Sequence, residues 1–160
     1  MTIHLVRHAE AGSRRRWAGP DDARPLNGEG RRQATHLADQ LATLGVTRVL
    51  SSPYARCVQT VEPLAGLLGI RVEAVDVLAE GSRSREVRSF VEDLAATGAP
   101  VALCSHGDVI PELLRVLARR GVDLDPDGPC QKGSVWTLSV EAGRITSGRY
   151  TPPSGELPRP

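Results

Sequence analysis

Three apolar runs in this sequence end in cationic or imidazole side chains. "LVRH" closes on Arg7 and His8, "VLSSPYAR" leads to Arg56, and "VALCS" runs into His106, Gly107 and Asp108. An acid, Glu80, lies in "LAEGS", and a second, Glu10, follows His8 in "LVRHAEAG". Guanidinium forks pair with oxyanions, imidazole exchanges a proton near neutral pH, and a carboxyl can donate one. Singly, each has an ordinary reading. Arg7-His8 could be a surface pair, Arg56 a solvated helix residue, Asp108 a helix N-cap and Glu80 one acid among 19. Their joint occurrence at one edge of one sheet is what points to anion chemistry.

The elements that would hold them follow from periodicity. "TIHLVR" reads as a strand, and Asn27 caps a helix through Ala34, Leu37, Ala38, Leu41 and Leu44 that stops at Gly45. "RVLSS" is a second strand, followed by a helix from Pro53 to about Leu68 that Pro63 should break or restart. "IRVEAV" is a third strand, and Val87, Phe90, Val91 and Leu94 mark an amphipathic helix. "PVALCS" is a fourth strand, leading into a helix from about Asp108 to Arg120. "SVWTLSVEAGRITSGRY" alternates on both sides of "EAGR", a hairpin signal. This order predicts an α/β fold, a three-layer α/β/α sandwich on a mainly parallel central sheet with a C-terminal hairpin. Residues 1–150 form one domain, and residues 151–160 a Pro-rich tail, extended and loosely held. In such sheets ligands bind beyond the carboxyl ends of the strands, where these side chains fall.

Composition narrows the function classes. A net charge of +1 over 160 residues excludes a generally basic nucleic-acid coat. All but one of the 20 basic residues are arginine, the exception being Lys132. Neither a secretory leader nor a membrane-length apolar run is expected, so the reading is a cytoplasmic protein without a membrane partner. Cys57, Cys104 and Cys130 lack metal-site spacing and read as quiet buried or semi-buried thiols. His4 reads as a packed or partner-bonded strand residue, and His36 as sitting at a partly buried helix edge.

The ordered series "LVRHAEAG", "LNGEGRRQA", "VLSSPYARCVQT", "LAEGS" and "CSHGDVI" resembles the histidine phosphatase superfamily, the phosphoglycerate-mutase-like group. Its short, phosphohistidine-phosphatase-like branch is the nearest, and the resemblance spans Ile3 to Ile110. Ala9 departs from the glycine common there but keeps its backbone amide. The resemblance implies a metal-independent phosphatase with no cofactor, working through a phosphohistidine on His8. Arg7 and Arg56 would clamp the phosphoryl oxygens, and His106 would donate to them. Glu80 would serve as general acid and base, with Glu10 the second candidate.

The substrate is read less directly. Arg14, Arg15, Arg16 and Trp17 in "GSRRRW" could meet a polyphosphate and a base, or form a solvated loop over a packed tryptophan. Lys132 in "QKGSVWTL" could be a placed point charge or a chance survivor. These segments are also similar to the histidine phosphatase domain that follows a Nudix domain in actinobacterial nucleotide-cleaning proteins. That similarity implies a nucleoside di- or triphosphate, oxidised guanine nucleotides included. The alternative is a phosphohistidine on another protein; mutase activity and a silent phosphate-binding module are weaker. The expected partner is thus a small phosphorylated molecule or a phosphoprotein, not nucleic acid.

Overall fold

Alternation along the central strands assigns their side chains to two layers. The computed structural model describes residues 1–126 and 128–158. In β1 (Thr2–Arg7), Ile3 and Leu5 face one layer and Val6 the other. β4 (Val101–Ser105) repeats this, with Val101 and Leu103 on the first side and Ala102 and Cys104 on the second. Period-2 alternation buried on both faces is what a covered parallel strand requires.

The sheet is completed by β2 (Arg48–Ser51), β3 (Val72–Ala74), β5 (Asp123–Leu124), β6 (Val135–Glu141) and β7 (Arg144–Thr151). Its seven strands lie in the order β3-β2-β4-β1-β6-β7-β5. β1 to β4 are mutually parallel, and β6 is antiparallel to both β1 and β7. Helices α1 (Gly28–Leu41) and α2 (Ala55–Leu68) cover one face through Leu37, Leu41, Val61 and Leu64. Helices α3 (Ser84–Thr97) and α4 (Val109–Arg119) cover the other through Val87, Val91, Leu113 and Leu117. The expected sandwich with its closing hairpin is present. Among the described residues, no helix is long and apolar enough to cross a membrane.

Several expectations need correction. Pro63 neither breaks nor restarts α2, which runs through it uninterrupted. The missing N–H costs one helical bond, but burial of Val61, Leu64 and Ala65 beside it holds the helix in place. Asp108 precedes α4 without capping it, because its carboxylate accepts from the Gly81 N–H at 2.7 Å. β3 is only three residues long, as suits an edge strand, and β5 pairs in parallel with β7 where no strand is expected. His36 is exposed rather than at a buried edge. The tail is also held more firmly than its composition suggests. Thr151 still belongs to β7, Leu157 is buried against α1, and Gln40 bonds to Gly155 and Leu157. The tail's last two positions, 159 and 160, lie outside the described residues.

The first turn of α1 shows why "NGEG" carries two glycines with different duties. The Asn27 side chain caps the helix by accepting from the Gly30 N–H at 2.9 Å. A Cβ on Gly30 would fall 1.9 Å from the Glu10 carbonyl oxygen, whereas one on Gly28 would meet nothing nearer than 3.8 Å. Gly30 therefore lets the helix seat against the loop that follows β1. Gly30→Ala should destabilise the protein by about 1–3 kcal/mol through overpacking. Gly28→Ala should stabilise it by up to about 1 kcal/mol through helix propensity. Urea unfolding of the two variants checks this opposition of signs.

Candidate active site

The strand ends stay tied together beyond the strands themselves. His8 N–H donates to Ser105 at 3.0 Å, Ser52 N–H to Cys104 at 2.9 Å and Val75 N–H to Ser51 at 2.8 Å. The chain therefore leaves β1, β2, β3 and β4 side by side. Arg7, His8, Arg56, Glu80 and His106 line one recess of about 400 Å³, with Arg14, Arg24, Asp108 and Lys132 around them. A cavity of about 410 Å³ between α3, α4 and the hairpin, lined by Glu92, Arg120 and Arg144, contains none of the motif residues.

His8 is buried, and its Nδ1 stands 2.8 Å from the Ala9 carbonyl oxygen. A carbonyl only accepts, so Nδ1 carries the proton and Nε2 keeps its lone pair. Burial pushes the ring down to about 3; the Ala9 bond works upward, while His106, Arg56 and Arg7 add to the depression. The imidazole is thus neutral at physiological pH, with its tautomer set by the backbone.

The two strand-end arginines are held differently. Arg7 Nη1 donates to the Cys130 carbonyl, and the face of its guanidinium lies against Gly107. A Cβ on Gly107 would fall 2.6 Å from Arg7 Cζ, which explains a glycine in "SHGD". Arg56, only 1% exposed, donates to the Asp21 carbonyl at 2.8 Å, the Asp21 carboxylate at 3.1 Å and Glu80 at 3.0 Å. Its Cζ also lies 4.9 Å from the Tyr54 ring centroid. The Nε atoms of both arginines are buried without a hydrogen-bond partner among the described residues. Buried donors of this kind normally find an acceptor, and a bound oxyanion would provide one.

His106 is buried with its Nε2 2.8 Å from Ser52 Oγ and 3.5 Å from Cys57 Sγ. Its ring meets that of His8 edge-on at a centroid separation of 5.5 Å. Cys57 and Cys104 are buried free thiols, as composition suggested.

The remaining candidates divide. Glu80 lies in the recess wall, while Glu10 lies outside it and pairs with Lys132 at 3.1 Å. Arg14 bridges Asp21 and Glu80 across the rim, with its side chain 64% exposed. Arg15 and Arg16 are exposed and outside the recess. Trp17 is also outside it, its indole N–H donating to Pro20 at 2.8 Å.

The sequence model of the histidine phosphatase superfamily (branch 1) matches residues 3–83. The chain belongs to this superfamily. A Mycolicibacterium smegmatis protein named 8-oxo-(d)GTP phosphatase is 34% identical over 97% of this chain, which spans 49% of that protein's length. A Klebsiella pneumoniae protein named as a probable phosphoglycerate mutase, GpmB, is 36% identical over 99% of this chain and 67% of its own. Among solved structures, the protein histidine phosphatase SixA complexed with tungstate matches with a TM-score of 0.74 and 22% identity, covering 94% of each chain. At that identity the likeness speaks for the fold alone.

In this member of the histidine phosphatase superfamily, several site residues escape a reading by motif. Asp21 accepts from Arg14, Arg24 and Arg56. Partial burial opposes its charge, yet those three guanidiniums hold its carboxyl below the usual range. Arg24 is buried and donates to the Gly12 carbonyl at 2.6 Å. Asp108 anchors Gly81, the residue after Glu80. The loop between β1 and α1 carries Asp21 and Arg24 in "PDDARP", outside every motif that the sequence displays.

Burial makes two histidines a pH liability for the fold. His4 is pushed down to about 4 and His8 to about 3, both from an ordinary value of 6.5. Below 6.5 the unfolded chain binds more protons, so stability falls as pH drops, through about 4 for His4 and about 3 for His8. The loss approaches about 1.4 kcal/mol per pH unit for each histidine. Urea midpoints should fall between pH 6.5 and 5, before carboxylates titrate, and fall less steeply in His4→Gln. A flat midpoint over that window would contradict the assignment.

Proposed function

We propose that this chain is a metal-independent phosphatase that transfers a phosphoryl group to His8 and then to water. The observation that carries this is the neutral His8, its Nδ1–H fixed on Ala9, beside two arginines whose buried Nε–H groups have no partner among the described residues. Nε2 forms the bond to phosphorus as the bond to the leaving oxygen breaks. Arg7, Arg56 and His106 take the phosphoryl oxygens, so their charge is answered by fixed cations and donors. As Arg56 turns to those oxygens it releases the Glu80 carboxylate, which takes up a proton from solvent or the arriving phosphate and passes it to the leaving oxygen. Water then attacks phosphorus, the P–N bond breaks, and the water's proton returns to Glu80.

The favoured substrate class is a nucleoside di- or triphosphate, 8-oxo-guanine nucleotides among them. The relative named 8-oxo-(d)GTP phosphatase supports this, as do Arg14, Arg24 and Lys132 around the recess, beyond what one phosphoryl group needs. The second reading is a phosphohistidine on another protein, since the exposed rim at Arg14 leaves the recess within reach of a protein side chain. The same openness to water favours hydrolysis over a mutase reaction.

Activity should survive chelator, and its abolition would overturn the metal-independent scheme. His8→Ala should lose at least about a thousandfold in kcat/KM. Glu80→Gln should lower kcat/KM, which reports transfer to His8, by about 10²–10⁴-fold on a nucleotide. Its effect should be much smaller on p-nitrophenyl phosphate, whose leaving group needs no proton. Equal losses on both substrates would contradict an acid role for Glu80.

A further inference from the structure

The loop after β1 separates two hollows. One is the His8 recess; the other, about 160 Å³, is lined by Trp17, Arg16, Pro25, Leu26 and Asn27. Gly12, Ser13 and Arg24 stand in the walls of both, so the hollows adjoin across a single turn of backbone. We propose that this side hollow seats the nucleobase of a nucleotide whose phosphates lie at His8. The inference rests on the nucleotide reading above and assigns the part of the substrate that the phosphoryl machinery cannot recognise.

Trp17 is built as a fixed plate rather than a loose surface side chain. Its indole N–H donates to Pro20 at 2.8 Å and its backbone N–H to Ser13 at 3.1 Å. Gly19 backs the ring so closely that a Cβ there would fall 3.1 Å from Nε1. Even so, Trp17 is 37% exposed, one of two large apolar residues left so uncovered among the described residues. A ring already held in place loses little side-chain freedom when another ring stacks on it.

The rest of the hollow suits the edge of a heterocycle. Pro25 and Leu26 supply apolar wall. Asn27 has committed its Oδ1 to the Gly30 N–H, so its amide offers only donors. The Arg16 guanidinium likewise offers donors and a planar cation. Apolar plates with a donor edge fit a ring bearing carbonyl or ring-nitrogen acceptors. Arg24, tied to Gly12 and Asp21, is placed to meet the phosphates between the two hollows.

The test compares GTP with inorganic tripolyphosphate, which offers the same phosphates without a base. Trp17→Ala should lower kcat/KM for GTP by roughly 5- to 100-fold, the range of base–aromatic stacking. The loss on tripolyphosphate should be at least about fivefold smaller, and Trp17→Phe should restore most of the GTP activity. In His8→Ala protein, GTP should quench tryptophan fluorescence, and Trp17→Ala should remove the quench although Trp136 remains. Equal losses on both substrates, or an undiminished quench in Trp17→Ala, would overturn the base seat and leave the nucleotide reading standing. Wild-type protein that releases phosphate from a phosphohistidine protein but not from GTP would overturn both.

Discussion

Two guanidinium groups, the half-buried one of Arg7 and the fully buried one of Arg56, sit at the carboxyl edge of the sheet, and much of the local structure exists to hold them. A buried charge without partners is among the costliest features a fold can contain. Here the cost is offset by carbonyl and carboxylate oxygens drawn from distant segments. Cys130 serves Arg7, while Asp21 and Glu80 serve Arg56. Those partners leave one Nε–H on each arginine unanswered. The loop after β1, the turn after β3 and the segment before β6 are therefore shaped by what the arginines need.

His8 gains its chemistry from the same burial. Removed from water and flanked by cations, its ring resists protonation, and the Ala9 carbonyl decides which nitrogen keeps the proton. A strand end is well suited to this, because β1 is paired on both sides and its continuation is still hydrogen-bonded to Ser105. Asp21 and Glu80 pair with Arg56 in the free protein and, in the proposed mechanism, yield it to a phosphoryl group. Charge exchange of this kind keeps the cations in position without an external ion.

The sheet and its helices were legible because their signals are local. Alternating apolar residues in "TIHLVR" and "PVALCS", and helical spacing after Asn27, report burial directly. The strand-end motifs were legible for the same reason, being short runs where composition changes abruptly. What could not be read depends on contacts across the chain. Asp21 meets Arg56 across a separation of 35 positions, and Asp108 leaves the cap its sequence context favours for the Gly81 amide. Pro63 looked like a helix breaker because local propensity says so; packing of its neighbours decides otherwise. The row "RRR" looked uniform, yet only Arg14 reaches the His8 recess while Arg16 borders the hollow beside Trp17.

The central claim is a covalent phosphoryl group on His8, and the stereochemistry of transfer tests it without requiring that intermediate to accumulate. Each in-line displacement inverts phosphorus, so transfer to His8 followed by attack of water inverts it twice. With a substrate made chiral at the transferred phosphorus by oxygen isotopes and sulfur, the account predicts product of retained configuration. Inverted product would mean that water attacks the substrate directly, and would contradict the role assigned to His8.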